Sequence, residues 1–241
     1  MLSMAQAVHR NGGIVIVQVA RLAQRGTLNV KQVKIPGMLV DLVVVDPTQR
    51  QTYAMDYNPA YAGEVKVPMN TITPLPLDPR KVIARRAVLE LSPGAMCNLG
   101  SGVSTGIAVI AAEEGIVDQI ILTNEQGLIG GVPSSDAGAA VNYSAMIDQP
   151  YQFDFYDGGG IDLACLGMAE TDSSGNVNVS KFGPRIAGVG GFINITQNAK
   201  KVIFCGTFTA GGLEVQYVDN KMVIVQEGKS KKFVSKVEQI S

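Results

Sequence analysis

The sequence predicts an α/β fold: an open, mostly parallel sheet flanked by helices, with a C-terminal β-hairpin. Three observations carry that expectation. Apolar runs at residues 14–19, 39–45, 120–122, 161–168 and 200–205 are short and largely continuous, as in strands buried on both faces. Between some of them lie apolar stripes at helical spacing, and glycine clusters follow several runs where the chain would leave the sheet. The bulk composition agrees. Of 241 residues, 46% are apolar, 17% are charged and 27 are glycine, which is a globular chain rich in tight turns.

In chain order, residues 5–10 read as the last turns of a helix stopped by Asn11-Gly12-Gly13, with buried strands following at 14–19 and 39–45. A chain that opens on a helix end suggests a preceding part that is missing or belongs to another polypeptide. Residues 46–77 carry Pro47, Pro59, Pro68, Pro74 and Pro76, so they read as a long connection. The expected organisation is 1–77 as an end piece plus connection, and 78–241 as the principal domain. Asp78-Pro79 caps and starts a helix whose stripe is Ile83, Ala84, Ala87, Val88 and Leu91. A short strand then enters the turn Gly100-Ser101-Gly102 and a helix presenting Val103, Ile107, Ile110 and Ala111, closed by Gly115.

A polar loop follows Pro133, and residues 151–157 hold an aromatic cluster read as core. Residues 171–176 form a turn, and a second glycine cluster, Gly188-Val189-Gly190-Gly191, demands either close packing or a nest of N–H donors. Asp219-Asn220 between two apolar strands reads as a two-residue hairpin turn, and the lysines of 229–236 as a solvated edge strand.

Net charge is −1, which leaves no electrostatic footprint for nucleic acid. No apolar run approaches the roughly 20 residues that span a bilayer, and residues 1–6 lack the regions of a signal peptide. Cys97, Cys165 and Cys205 read as buried thiols in a reducing compartment. With one histidine, His9, they offer no metal-ligand spacing, so a metal-free, cytoplasmic protein is expected. The Gly100–Gly106 region runs G-x-G-x-x-x-G with no acidic residue placed for a ribose, which argues against a dinucleotide site.

The candidate chemistry centres on Glu125. It ends the apolar run 120–122 and precedes Gly127, Gly130 and Gly131, and open α/β sheets put ligands beyond the carboxyl ends of their strands. The start of the helix after Gly102 would bring backbone N–H groups beside it, suited to an anionic or carbonyl oxygen.

Thr123-Asn124-Glu125-Gln126-Gly127-Leu128-Ile129-Gly130-Gly131 resembles the catalytic glutamate motif of family I CoA-transferases, and Asn98-Leu99-Gly100-Ser101-Gly102 resembles that family's Asn-Leu-Gly-x-Gly turn. Residues 149–163, 181–194 and 204–212 are similar to further family blocks, so the likeness runs over nearly the whole chain. The closest likeness is to the β-type, catalytic half of acetate/propionate CoA-transferases. Asn124 departs from the pattern, standing where a hydrophobic residue is usual.

The resemblance implies the CoA-transferase, sugar-phosphate isomerase-like fold. It also implies that Glu125 is a nucleophile forming a 5-glutamyl-CoA thioester. Gly190 and Gly191 would then be oxyanion donors, with Gly100, Gly102, Gly130 and Gly131 in the pocket. Coenzyme A is implied as substrate and covalent intermediate with no permanent cofactor, the other substrates being an acyl-CoA and a short-chain carboxylic acid. Implied partners are an α-type half, in the same or a separate chain, and further copies in a homo-oligomer. The competing expectations are a non-catalytic fragment or assembly module of such an enzyme, and an isomerase on the related fold. The isomerase would want a lysine or aspartate with phosphate donors, a cluster the sequence lacks.

Overall fold

The computed structural model describes residues 1–52, 55–134 and 139–241. Part of the polar loop after Pro133 and a short piece of the irregular 46–77 connection fall outside those residues. The chain divides into two compact units, Met1–Asn58 and Pro59–Ser241.

In the first unit, helix α1 (Leu2–Arg10) ends at Asn11, and strands β1 (Ile16–Val19) and β2 (Leu42–Val45) pair in parallel. Ala5, Val15 and Leu39 form its small core. The runs 14–19 and 39–45 were expected to be buried throughout; Val15 and Leu39 are, but β1 is covered only at alternate residues, and Leu42, Val43, Val44 and Val45 are each about half exposed, at 46–52%. Among the described residues the pair has no third strand, and a two-stranded sheet has little to bury against. His9 lies exposed in the last turn of α1.

The second compact unit takes in residues 59–77 as well, for a packing reason. Ala60 is buried in the main core, and Tyr61, Val67, Met69, Ile72 and Leu75 pack against it. Asn142, at φ +61°, clasps this segment: its Oδ1 accepts from the Val67 N–H (2.9 Å) and its Nδ2 donates to the Val67 carbonyl (2.8 Å).

Helix α2 (Pro79–Val88) begins as expected, Asp78 accepting from the Lys81 N–H at 2.9 Å. Strand β3 (Met96–Leu99) leads through a 3-10 turn (Gly102–Thr105) into α3 (Gly106–Glu113), and β4 (Ile121–Thr123) follows. Then come β5 (Leu128–Ile129), β6 (Val132–Ser134), β7 (Ala139–Val141), β8 (Ala145–Met146) and α4 (Gln149–Asp157). The next stretch supplies β9 (Leu163–Leu166), β10 (Glu170–Thr171), β11 (Val177–Asn178), β12 (Lys181–Phe182), β13 (Arg185–Ile186) and α5 (Phe192–Gln197). It closes with β14 (Lys201–Phe204), β15 (Thr209–Ala210), β16 (Glu214–Val218), β17 (Lys221–Gln226) and β18 (Ser230–Lys231).

The central sheet has the order β14-β9-β3-β4-β5-β8. Its first four strands are parallel, and β5 and β8 extend it antiparallel. Every residue of β9 is buried, and alternation divides them between two cores: Leu163 and Cys165 join the α2–α3 side, Ala164 and Leu166 the α4–α5 side. The three cysteines are free and buried on the first of these sides, where burial pushes the Cys97 thiol up to about 11. The hairpin turn lies where the sequence put it, with Asp219 at φ +50° and Asn220 at φ +60°.

Connections set the functional edge. From β3 the chain crosses to β4 on one side, and from β9 it crosses to β14 on the other. The carboxyl ends of adjacent β3 and β9 therefore flank the point where the winding reverses, which is where open α/β sheets bind ligands.

At the opposite, amino edge, Asp162 ties three strands together. It accepts from the Met96 N–H (2.8 Å) and from Lys200 Nζ (2.6 Å). The Lys200 hydrogen bond, then the Met96 bond, hold its carboxyl below the usual aspartate range. A depressed folded-state pKa gives stability that is present above about pH 4 and lost as pH falls through the folded value. Asp162→Asn is therefore expected to flatten the loss of stability between about pH 5 and pH 3 in denaturant titrations. Parallel wild-type and variant curves would contradict this.

Candidate functional site

Strand β4 delivers Glu125 to the carboxyl edge through a tight turn. The Asn124 N–H donates to the Leu128 carbonyl and the Gly127 N–H to the Asn124 carbonyl, both at 3.1 Å. Asn124 Oδ1 accepts from the Leu128 N–H at 3.1 Å. The turn thus gives a use for the polar residue at 124. Gly127 is required there: at φ +104°, a Cβ would stand 2.0 Å from the Ile147 carbonyl oxygen. Glu125 is half-buried and, among the described residues, makes no hydrogen bond or ion pair.

Glu125 lines a cavity of about 490 Å³ whose walls come from the ends of β3 and β9 and the start of α5. Asn98, Gly100 and Ser101 lie on one side, Leu166 and Met168 on another, and Gly190, Gly191 and Phe192 on a third. Ser101 and Thr105 bring the beginning of the 3-10 turn and α3 to the same space.

The six candidate glycines separate by position. Gly191 has φ −77° and ψ 0°, a backbone any residue adopts. A side chain is excluded by space instead, since a Cβ would lie 2.3 Å from Glu125 Oε2 and 2.9 Å from Phe153 Cζ. Gly190, at φ +58°, precedes it in the turn into α5. Neither glycine's N–H has an acceptor among the described residues. Gly100 also lines the cavity, but its N–H is committed to the Cys165 carbonyl at 2.8 Å, so it serves as wall and not as donor. Gly102, Gly130 and Gly131 do not line the cavity. All three hold positive φ, and the Gly130 N–H is spent on the Leu122 carbonyl. A Cβ at Gly131 would stand 2.1 Å from the Val141 carbonyl oxygen. Their glycine is a backbone requirement.

Sequence reasoning missed the polar chain beside Glu125. Residues 149–157 are helix α4, not merely an aromatic patch, and Tyr156 is buried with its hydroxyl between Asn98 Nδ2 and Thr123 Oγ1, both at 3.0 Å. Burial pushes the Tyr156 pKa up; its hydrogen bonds oppose this, and the Glu125 charge adds to the rise. The available signal was the i, i+4 spacing of Gln152 and Tyr156, the two buried positions of α4. Lys232 was also misread as a solvated edge residue. It is half-buried, its Nζ donates to the Met168 carbonyl at 2.7 Å, and burial lowers its pKa.

Among the described residues no group of three or more His, Cys, Asp or Glu side chains is placed to hold a metal ion, and no helix is long and apolar enough to cross a membrane. What the cavity offers is one unpaired carboxylate, two free amides and a glycine-lined approach. That set suits attack by Glu125 on an activated carbonyl whose oxygen becomes negative. Gly191→Ala is expected to keep the fold and to force the Glu125 carboxylate back by about 1 Å, because carbon–oxygen contacts closer than about 3 Å are not sustained. Crystal structures of the two proteins would measure it. An unmoved carboxylate would refute the close approach.

The chain is 49% identical over 243 residues to the acetate CoA-transferase YdiF of Escherichia coli (strain K12), covering 100% of this chain and 46% of that protein. It is 48% identical over 250 residues to the caffeate CoA-transferase of Acetobacterium woodii, covering 100% of this chain and 48% of that one. The solved structure of the acyl-CoA transferase YdiF from E. coli O157:H7, a thioester complex with CoA, aligns with a TM-score of 0.87 at 47% identity, over 100% of this chain and 45% of that chain. No protein-family model matches. The chain spans about half the length of the curated relatives it matches.

Proposed function

The chain belongs to the family I CoA-transferases, and from that premise we propose that it is the β-type catalytic half of an enzyme moving coenzyme A between an acyl-CoA and a free carboxylic acid. The observation that carries the proposal is the contact at Gly191, where bare backbone lies against Glu125 Oε2 with no room for a side chain. Support also comes from the relatives' activities and from the thioester complex of one of them.

In the proposed reaction a Glu125 carboxylate oxygen attacks the thioester carbonyl carbon. The resulting tetrahedral oxyanion collapses, expelling CoA thiolate and leaving a mixed anhydride. The thiolate then attacks the glutamyl carbonyl, the first acid departs as its carboxylate, and a glutamyl-CoA thioester remains. A second carboxylate reverses these steps and leaves as its CoA ester, which gives ping-pong kinetics. A carboxylate suits the role because its thioester conserves the group-transfer potential that must be handed on. The N–H groups of Gly190 and Gly191 are the proposed oxyanion donors, each such donor typically contributing about 10²–10³ in rate. Apolar walls that include Leu166, Met168 and Phe192 would keep water from the intermediate.

The acid is proposed to be short-chain, acetate or propionate. The equal similarity to a caffeate CoA-transferase keeps an aromatic acid in view. We also infer an α-type half as partner, self-association and a cytoplasmic setting. The exposed apolar residues of β2, and separately those of β17, are surfaces such partners would cover. Units Met1–Asn58 and Pro59–Ser241 fit the end of an α-type half and the catalytic domain. A second reading, a fragment inactive without its other half, is favoured by the coverage of less than half of each relative.

Incubation with acetyl-CoA or propionyl-CoA, followed by peptide mass mapping, is expected to find coenzyme A on Glu125, removable by hydroxylamine. Glu125→Ala is expected to lower turnover of the assembled enzyme by at least about 10³-fold. An adduct that forms only after the α-type half is added would favour the fragment reading for the isolated chain. No adduct in the assembled enzyme would refute the mechanism.

A further inference from the structure

Three buried contacts run in series beside Glu125. Asn98 Nδ2 meets Tyr156 Oη, Tyr156 Oη meets Thr123 Oγ1, and Thr123 Oγ1 meets the Cys97 carbonyl oxygen, each at 3.0 Å. Counting protons fixes the direction of the chain. A backbone carbonyl only accepts, so the Thr123 hydroxyl donates to it and must accept from Tyr156. Tyr156 has then used its single proton, and burial keeps that phenol protonated. Its oxygen must receive a hydrogen bond from Asn98. With the amide turned over, three contacts would share two protons and two oxygens would face each other unprotonated.

The consequence lies at the cavity wall. Asn98 is 2% exposed and lines the cavity with Glu125. Its Nδ2 is committed to Tyr156, and its Oδ1 is buried without a partner. An orphaned buried acceptor is costly, and the cost is recovered when a donor arrives. Substrate carboxylates and tetrahedral oxyanions carry no proton to give. The amide N–H groups of the pantetheine arm do.

Resting on the CoA-transfer reading, we propose that Tyr156 is a positioning residue: through its hydroxyl chain to Thr123 it locks the Asn98 amide so that Oδ1 is held ready to accept an N–H of the CoA pantetheine arm. The polar chain thereby distinguishes the thioester carrier, which has donors, from the free acid, which has none. Gln152, fully buried on α4 one turn before Tyr156, makes no side-chain hydrogen bond of normal geometry among the described residues, but it lies near enough to the Tyr156 hydroxyl to help oppose the rise of its pKa.

The test is single-turnover formation of the Glu125–CoA adduct in the assembled enzyme, with wild type, Tyr156→Phe, Asn98→Ala and the double variant. Thr123→Val is a second way of breaking the chain should Tyr156→Phe fail to fold. Tyr156→Phe and Thr123→Val are each expected to slow adduct formation from acyl-CoA about tenfold, the usual scale for a lost oriented hydrogen bond. In the Asn98→Ala background they should slow it less than about twofold. An acyl donor with an ester oxygen in place of the pantetheine N–H should react about tenfold more slowly than acyl-CoA with wild type and show little further loss with Tyr156→Phe. Multiplying losses, a wild-type rate for both chain-breaking variants, or an equal penalty for the ester donor in every variant would overturn the proposal. Absence of any adduct in wild type would instead refute the CoA-transfer reading.

Discussion

The structure depends on a carboxylate held against bare backbone. Glu125 stands two residues beyond the end of β4, just after the turn-forming Asn124, and Gly191 arrives from the start of α5 so closely that a single carbon on it would meet Oε2 at 2.3 Å. Two segments far apart in sequence meet at that point, and the meeting needs the whole parallel sheet. Strands β3 and β9 set the crevice, β4 brings the acid, and the connection from β9 towards β14 brings the amides. The cores on both faces of the sheet are what hold those ends in register. Asp162, at the far edge, ties the starts of the same strands.

Chemically, the site is spare. The proposed carboxylate nucleophile calls for no histidine base, and the single histidine lies exposed on α1. What a carboxylate nucleophile requires is a place for the developing negative oxygen and shelter from water. Two amides without acceptors among the described residues and an apolar wall answer those needs. The polar chain through Tyr156 adds the third element proposed above, an acceptor held in the cavity wall beside Glu125.

Much of this was legible in the sequence because the signals were local. Asp78-Pro79 caps α2 through a hydrogen bond three residues away, and Asp219-Asn220 forms its hairpin turn from its own backbone preferences. The parallel strands announced themselves as short apolar runs, and Glu125 by its position after one of them. The long-range features were harder. Whether residues 42–45 are buried depends on partners supplied from elsewhere, and apolarity alone could not decide it. Helix α4 was obscured by Tyr151, Phe153 and Phe155 at alternate positions, a strand-like spacing, although Gln152 and Tyr156 share a helical face. The glycines illustrate the same divide. Gly130 and Gly131 look like pocket residues in sequence but are demanded by the crossing to β6, whereas Gly191 has an ordinary backbone and is demanded by Glu125.

The central claim, covalent passage of the acyl carrier through Glu125, has a direct isotopic consequence. An acceptor acid labelled with ¹⁸O at both carboxylate oxygens would attack the glutamyl thioester and form an anhydride bridged by one labelled oxygen. When thiolate then takes the acyl group, that bridging oxygen stays on the glutamate. Mass spectrometry of the peptide bearing Glu125, after turnover by the assembled enzyme, should therefore find ¹⁸O in its side chain. Full turnover with an unlabelled Glu125 would contradict the account.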